Sequence, residues 1–279
     1  MLWGRKYSKA RGFWRGGLPT FSRVRAIFSR FRGVKAAYFF SDAHLGAEPR
    51  GAVPGREALL VRELRRLGRD ASHVVILGDL FEFWYEYRHY VSGEHMALFR
   101  ALGDLVDSGV QVHYLAGNHD FALEGFFPKA LGVKVAKAVI LETQGARLYC
   151  VHGDGLAKSD TGYRFARKVL DFPLCRSLFR LIHPDAGFAL AKLVGRGSRQ
   201  LGGTCEVRLD EYLDFGRRTM ARHHCSYFLH GHHHIPGIWP VEGGVVASPG
   251  QWLETLNYLK LSGGKLELVK VEPESVGLA

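Results

Sequence analysis

Ala36-Ala37-Tyr38-Phe39-Phe40-Ser41-Asp42-Ala43-His44 is a short apolar run that stops at a carboxylate and an imidazole. Five successive residues without charge fit a strand buried on both faces. The same design recurs along the chain. His73 to Leu77 ends in Gly78-Asp79, Val110 to Ala116 ends in Gly117-Asn118-His119-Asp120, and Arg147 to Val151 ends in His152-Gly153-Asp154. Tyr227-Phe228-Leu229 then runs into His230-Gly231-His232-His233-His234-Ile235-Pro236. Between the early strands, residues 56–68 (Leu59, Leu60, Leu64, Leu67) and 94–109 (Leu98, Ala101, Leu102, Leu105, Val106) have helical spacing. Strands alternating with helices predict an α/β layer architecture. Polar groups just past the C-terminal ends of strands are where open α/β sheets carry their sites. Val133 to Leu141, Gly244 to Ala247 and Leu253 to Leu261 are read as further strands, and Gly263-Gly264 turns the last into Leu266 to Val271.

A chain of 279 residues, 47% hydrophobic, is long enough for one large domain or a domain with an inserted cap. No run approaches the ~18 apolar residues of a membrane span, and no apolar signal-peptide core stands at the start. Cys150, Cys175, Cys205 and Cys225 are well separated and read as reduced thiols of a cytosolic protein.

Charge is unevenly placed. The first 35 residues hold ten basic side chains and no acid; setting these aside from the 38 Lys and Arg leaves 28 against 27 Asp and Glu. Residues 1–34 therefore read as a basic arm on a near-neutral body. Within it Leu18, Phe21, Val24, Phe28 and Phe31 form one helical stripe with Arg23, Arg25, Arg30 and Arg32 between them. A basic amphipathic helix of this kind suits an anionic membrane surface. Phosphates of a nucleic acid attract the same charge, and docking on the domain is the third reading. Four Phe and Leu anchors on one face exceed what phosphate contact requires, so the membrane is the expected partner and nucleic acid is not.

From 155 to 225 no strand is apparent. Tyr163, Phe165, Val169, Leu170, Leu174, Leu178, Phe179 and Ile182 suggest one or two helices, Phe188, Leu190, Leu193 and Val194 another, and 206–222 a third. This reads as a helical cap insertion between two halves of a core, 35–154 and 226–272, with 273–279 a tail. An ordinary helical layer over a sheet would have the same apolar content.

The strand ends gather Asp42, His44, Asp79, Asn118, His119, His152 and the histidine cluster. Each alone is weak, since turns and caps use the same residues. Together they form a mixed carboxylate, imidazole and amide set, which suits Mn²⁺, Fe²⁺ or Zn²⁺ better than a thiolate-type site. The donors are too numerous for one tetrahedral ion and suit two. In the cluster, alternate residues on extended backbone share a direction, so either His230 with His232 or His232 with His234 can act together.

Asp42-Ala43-His44, Gly78-Asp79, Gly117-Asn118-His119-Asp120, His152-Gly153-Asp154 and Gly231-His232-His233-His234 resemble, in order, the blocks of the calcineurin-like metallophosphoesterases. The resemblance spans about 40 to 270. It implies an αββα sandwich of two β-sheets flanked by helices, with an inserted helical cap and two divalent metal ions, Mn²⁺ above all. Carried over by position, Asp42, His44 and His234 bind one metal, Asn118, His152 and His232 the other, and Asp79 bridges them. The pattern Gly-His-x-His-x-Pro selects His232 and His234, with His233 pointing away. Two divalent ions roughly 3.5–4 Å apart acidify a shared water and absorb charge on phosphoryl oxygens. His119 then serves as the catalytic imidazole, oriented by Asp120.

The flanks carry a narrower resemblance. Gly78-Asp79-Leu80-Phe81-Glu82-Phe83-Trp84 and His152-Gly153-Asp154-Gly155, followed by a basic, Phe/Leu-rich insertion, look like the UDP-2,3-diacylglucosamine hydrolases of lipid A synthesis. That implies a nucleotide-sugar lipid cleaved at its α-phosphate to UMP and 2,3-diacylglucosamine 1-phosphate. It further implies a cytoplasmic protein bound peripherally to the inner membrane of a Gram-negative-type bacterium. Asp160 and Ser198 fall where that family makes polar substrate contacts, and Arg164, Lys168, Arg196 and Arg199 are candidates for phosphate or uracil. Two departures are His119, where the best-known members have Arg, and Glu82, where Asp is more usual. The alternatives are a general paralogue acting on another lipid-linked or nucleotide phosphodiester, and a nucleic-acid-directed phosphodiesterase using the arm.

Overall fold

In the computed structural model, β1 (Ala36–Phe40) runs inside a six-stranded sheet, and its alternate side chains face two different cores. Described are residues 35–47, 49, 51–156, 172–190 and 209–273. The arm at 1–34, the tail beyond 273 and all six expected substrate contacts (Asp160, Arg164, Lys168, Arg196, Ser198, Arg199) lie outside the described residues.

The remaining strands are β2 (Ala71–Ile76), β3 (Gln111–Leu115), β4 (Lys134–Ala136), β5 (Ala138–Thr143), β6 (Ala146–Val151), β7 (Tyr227–Leu229), β8 (Gly237–Val241), β9 (Gly244–Ser248), β10 (Asn257–Ser262) and β11 (Lys265–Lys270). The first sheet has the order β11-β10-β1-β2-β3-β4, parallel from β1 to β4 and antiparallel through β10 and β11. The second has the order β5-β6-β7-β9-β8, with β6, β7 and β9 parallel.

Period-2 alternation builds the layers. Ala37 and Phe39, with Val75, Leu77 and Leu115, meet Leu148, Cys150, Leu229 and Ala247 of the second sheet. Ala36, Tyr38 and Phe40 meet Leu60, Leu64 and Leu102, which come from helices Arg56–Leu67 and Met96–Asp107. Fully burying a side chain such as Phe39, Leu115 or Leu229 contributes roughly 1.5–3 kcal/mol. On the far face of the second sheet, helix Leu209–His223 sets Met220 against Phe228 and Val246. Two sheets between helical layers are the expected αββα sandwich. The helix Leu209–His223, which the sequence puts at the end of the insertion, thus covers a sheet of the core. Of the insertion's other helices, Pro173–Phe179 and a helix at 184–190 are described.

Three local expectations are corrected. Val133 to Leu141 is two strands, because the chain leaves β3 at Ala136 and joins β6 from Ala138, changing sheets at Lys137. Leu253 to Leu261 begins as a helical turn, Trp252–Thr255, and becomes strand only after Leu256 at φ 53. Burial of the Trp252 indole, whose Nε1 donates to the Arg56 carbonyl at 2.9 Å, outweighs the local strand preference. β8 was not expected, since Gly237 and Pro240 discourage a strand. It forms at a sheet edge, where a missing N–H is tolerated.

Candidate active site

The predicted residues converge along the seam between the two sheets. Asp42 and His44 follow β1, Asp79 follows β2, and Asn118 and His119 follow β3. His152 follows β6, and His232 and His234 lie in the loop after β7. Backbone hydrogen bonds hold the first loops together: Asp42 N donates to Gly78 O (3.1 Å), His44 N to Asp79 O (3.1 Å) and Leu45 N to Leu80 O (3.0 Å). The β1–β2 pairing is thereby carried beyond both strands.

Five of the nine non-glycine residues with positive φ among the described residues are expected ligands: Asp42 (φ 51), His44 (φ 43), Asp79 (φ 51), His232 (φ 68) and His234 (φ 62). This backbone is costly for L-residues, so its concentration here marks a functional site. It also corrects the reading of the histidine cluster. β7 stops at Leu229, and His232 and His234 reach the site, one at Asn118 and the other at Asp42, from a loop that is left-handed at both and not from a continuing strand.

Among the described residues three donor groups result, one of them His44, Glu82 and His119 and the other two built from expected ligands alone. Of these two, Asp42, His44 and His234 form one, and Asp79, His152 and His232 the other, with ligand atoms in each group within 4.8 Å of one another. His234 Nε2 is 3.2 Å and His44 Nε2 3.8 Å from Asp42 Oδ1. Asp79 Oδ2 lies 3.3 Å from His152 Nε2 and 4.0 Å from His44 Nε2, so this carboxylate reaches both groups. Asn118 Oδ1 is 3.1 Å from His152 Nε2 and 2.9 Å from His232 Nδ1. His152 Nδ1 donates to Leu77 O at 2.7 Å, which leaves Nε2 as the donor atom facing the site. Glycines admit the close packing: a Cβ on Gly117 would strike the Asp79 carboxylate, and one on Gly231 would strike Ser41 and Asp42.

Divalent metal ions fit these residues. Asp42 Oδ1 and His44 Nε2 are buried and make no hydrogen bond. Carboxylate, imidazole and amide oxygens in one pocket are a donor set for a first-row divalent cation. Electrostatics agree. Burial works to raise the Asp79 carboxyl, but the neighbouring imidazoles, His152 foremost, together outweigh it and hold Asp79 well below the usual carboxylate range. Burial works to lower His152, and the Asp79 carboxylate instead lifts it to about 10. Asp42 and His234 form a second such pair, Asp42 lowered against its burial and His234 raised against its own. Burial and then the His152 charge push His232 down to about 4. Metal uptake at such a site displaces protons and strengthens as pH rises.

The calcineurin-like phosphoesterase family model matches residues 37–236. The chain belongs to that family. It is a metal-dependent hydrolase. A protein named UDP-2,3-diacylglucosamine hydrolase from Porphyromonas gingivalis is 29% identical over 258 residues, covering 84% of this chain and 97% of that one. Another of that name from Aeromonas salmonicida is 30% identical over 241 residues, covering 82% and 91%. A solved archaeal phosphodiesterase is similar at 12% identity and a TM-score of 0.43, over 85% of this chain and 99% of that one.

In this phosphoesterase the two residues expected to be catalytic differ in their surroundings. His119 Nε2 is 3.9 Å from Asp79 Oδ2, and its Nδ1 is 2.6 Å from the Glu82 carbonyl. Asp120, expected to orient that ring, is buried and spends its carboxylate on the loop. It accepts from Asp79 N (2.9 Å), Gly117 N (2.9 Å) and Tyr114 Oη (2.6 Å). Burial first and the Asp79 charge second raise Asp120 to about 6. The Glu82 carbonyl, not Asp120, therefore takes His119 Nδ1.

Sequence reasoning passed over two supporting groups. Arg56 is buried and donates to the carbonyls of Ala43 (3.2 Å), His44 (2.9 Å) and Ala47, so a guanidinium at the start of a helix grips the ligand loop. Nothing in an Arg at a helix start signals this. Tyr212 packs on His230 and His233, both buried, with ring centroids 4.9 Å from each. These two histidines form the wall behind the ligand loop. Beside Glu82, Phe83 meets Phe179 (5.8 Å) and Phe188 (5.6 Å) of the insertion. A cavity of about 290 Å³ opens there, lined by Glu82, Phe83, Tyr90, His95, Asp185 and Phe188 among others.

Proposed function

We propose that this phosphoesterase hydrolyses UDP-2,3-diacylglucosamine at the α-phosphate, releasing UMP and 2,3-diacylglucosamine 1-phosphate. The relatives of that name, aligned over four fifths of the chain, carry this reading. The exposed apolar side chains of the insertion support a lipid substrate. Phe172, Leu174, Leu178 and Leu181 are 57%, 59%, 56% and 81% exposed, next to helices that meet the Glu82–Tyr90 loop. Four exposed apolar side chains within ten residues fit acyl chains better than a small polar phosphate.

Asp42, His44 and His234 would hold one divalent ion and Asn118, His152 and His232 a second, with Asp79 shared; Mn²⁺ is the ion of choice. Such a pair supplies an acidified water and positive charge against the phosphoryl oxygens. The protein's part is positional. Left-handed loops aim the donor atoms, and the Leu77 carbonyl keeps His152 Nε2 inward. His119, its Nδ1 held by the Glu82 carbonyl, keeps Nε2 on the open side to protonate the departing oxygen. Residues 155–225 would serve as a cap over the substrate within the core 35–154 and 226–272, and Asp160, Arg164, Lys168, Arg196, Ser198 and Arg199 would contribute polar contacts. The arm at 1–34 would rest on the anionic cytoplasmic face of an inner membrane.

A second reading, a paralogue acting on another lipid-linked or nucleotide diphosphate, draws on His119 in place of Arg. One assay separates them. Protein loaded with Mn²⁺ is expected to release UMP from UDP-2,3-diacylglucosamine, and Asp79→Ala to abolish this. Release of UDP, or no turnover by folded, metal-loaded protein, refutes the substrate assignment and leaves the phosphoesterase chemistry standing.

A further inference from the structure

Glu82 stands where the metal groups meet the aromatic wall, 7% exposed. A carboxylate held away from water needs a donor beside it. Its Oε2 approaches His44 Nδ1 to 3.3 Å as a close ionic neighbour that does not meet hydrogen-bond geometry, while Nε2 of the same ring faces Asp42 Oδ1 at 3.8 Å and Asp79 Oδ2 at 4.0 Å. A neutral imidazole that donates at one nitrogen presents a lone pair at the other. The separation is set by the main chain, because Glu82 N donates to the Leu45 carbonyl at 2.9 Å, one residue beyond His44. The carbonyl of Glu82 receives the second ring, His119, which meets His44 edge to face with centroids 4.8 Å apart and planes at 88°. One residue thus borders two of the three imidazoles, His44 and His119 but not His152, that reach within 4.0 Å of the Asp79 carboxylate.

We propose that Glu82 is a positioning residue for metal uptake: its carboxylate holds His44 in the Nδ1–H tautomer, with Nε2 presented to the cation shared with Asp42 and Asp79. This rests on the ligand assignment made above for His44. Glu82 itself binds no metal in this scheme. It supplies the outer partner that a ligating histidine needs to keep its ring plane and its basicity.

The test uses the full chain and Mn²⁺ as the probe, with affinity measured by competition against a chromophoric chelator. Glu82→Ala is expected to weaken Mn²⁺ binding about 10–100-fold. Glu82→Gln, which keeps an acceptor oxygen for His44 Nδ1, is expected to recover most of that loss. Long-range ¹⁵N–¹H spectra of the metal-free protein are expected to show His44 protonated at Nδ1 in wild type and in Glu82→Gln. Wild-type affinity in a folded Glu82→Ala variant overturns the proposal, and so does a wild-type His44 protonated at Nε2. Should Glu82→Ala fail to fold, the tautomer of wild type and Glu82→Gln still decides. His44→Ala separates the two claims. Full Mn²⁺ affinity there refutes the ligand assignment and this role with it, whereas weakened binding there beside full affinity in Glu82→Ala refutes only the role of Glu82.

Discussion

His234 Nε2 stands 3.2 Å from Asp42 Oδ1, and the two residues come from loops on different sheets. β1 of the six-stranded sheet carries Asp42, and β7 of the five-stranded sheet leads into the loop of His234. Asp79 and His152 repeat the relationship at 3.3 Å across the same seam. The site therefore exists only while the inter-sheet core keeps both sheets in register. Left-handed backbone at five of these residues costs roughly 1–3 kcal/mol each, which the surrounding packing must offset.

Metal binding to such a seam should stabilise the whole fold. Mn²⁺ at 100 times its dissociation constant is expected to add about 2.7 kcal/mol per site, read as a rise in thermal midpoint. The Asp79→Asn variant is expected to lose most of that rise, because Asp79 reaches both donor groups. An unchanged Mn²⁺ response in the variant would show that Asp79 serves neither.

Gly117→Ala tests the packing behind the ligands. The new methyl would meet Asp79 N at 2.8 Å as well as the carboxylate, and must push the loop aside. A displacement on the order of 1 Å is expected to cost about 100-fold in kcat/KM. Circular dichroism should show the fold retained. Activity near wild type would mean the loop yields without moving Asp79.

His119 and Asp120 are expected to fail differently. His119→Gln should lower kcat roughly 10²–10⁴-fold while Mn²⁺ affinity holds. Asp120→Ala leaves the buried N–H groups of Asp79 and Gly117 without their acceptor, a loss of about 1–3 kcal/mol in stability by denaturant titration. Equal stability of Asp120→Ala and wild type would contradict the loop role.

Acid is expected to weaken the sandwich at the end remote from the site. His113 is 6% exposed, and burial first, then the Lys134 charge, lower it to about 4. Its neighbour His73, stacked at 6.3 Å, is lowered by the same two causes. Unfolded, each takes up its proton near the ordinary value of about 6.5. Between about 6.5 and 4 the unfolded chain thus binds more protons, and stability falls as pH falls. His113→Leu should keep more of its neutral-pH stability at pH 5 than wild type. An identical acid loss in both would exclude His113 as a cause.

The insertion's exposed leucines bear on substrate choice. Leu178→Ser combined with Leu181→Ser is expected to raise KM for a diacylated substrate several-fold. Hydrolysis of bis(p-nitrophenyl) phosphate should be unaffected. Equal effects on both substrates would remove the acyl-chain reading.

Much was legible in the residues alone. Apolar runs ending in Asp42, Asp79, Asn118 and His152 announced buried strands with a site at their ends, because burial on both faces demands such runs and strand ends are where polar groups escape the core. The family pattern Gly-His-x-His-x-Pro likewise pointed to His232 and His234, which stand beside Asn118 and Asp42. Tertiary structure alone decided the rest. The change of sheet at Lys137 and the edge strand at Gly237–Val241 depend on which neighbour offers hydrogen bonds, which local pattern does not record. Asp120 serves the loop and Glu82 borders His44 because side chains distant in sequence compete for the same partners. His232 and His234 reach Asn118 and Asp42 from a loop left-handed at both, a strain that only the folded sandwich around them can hold.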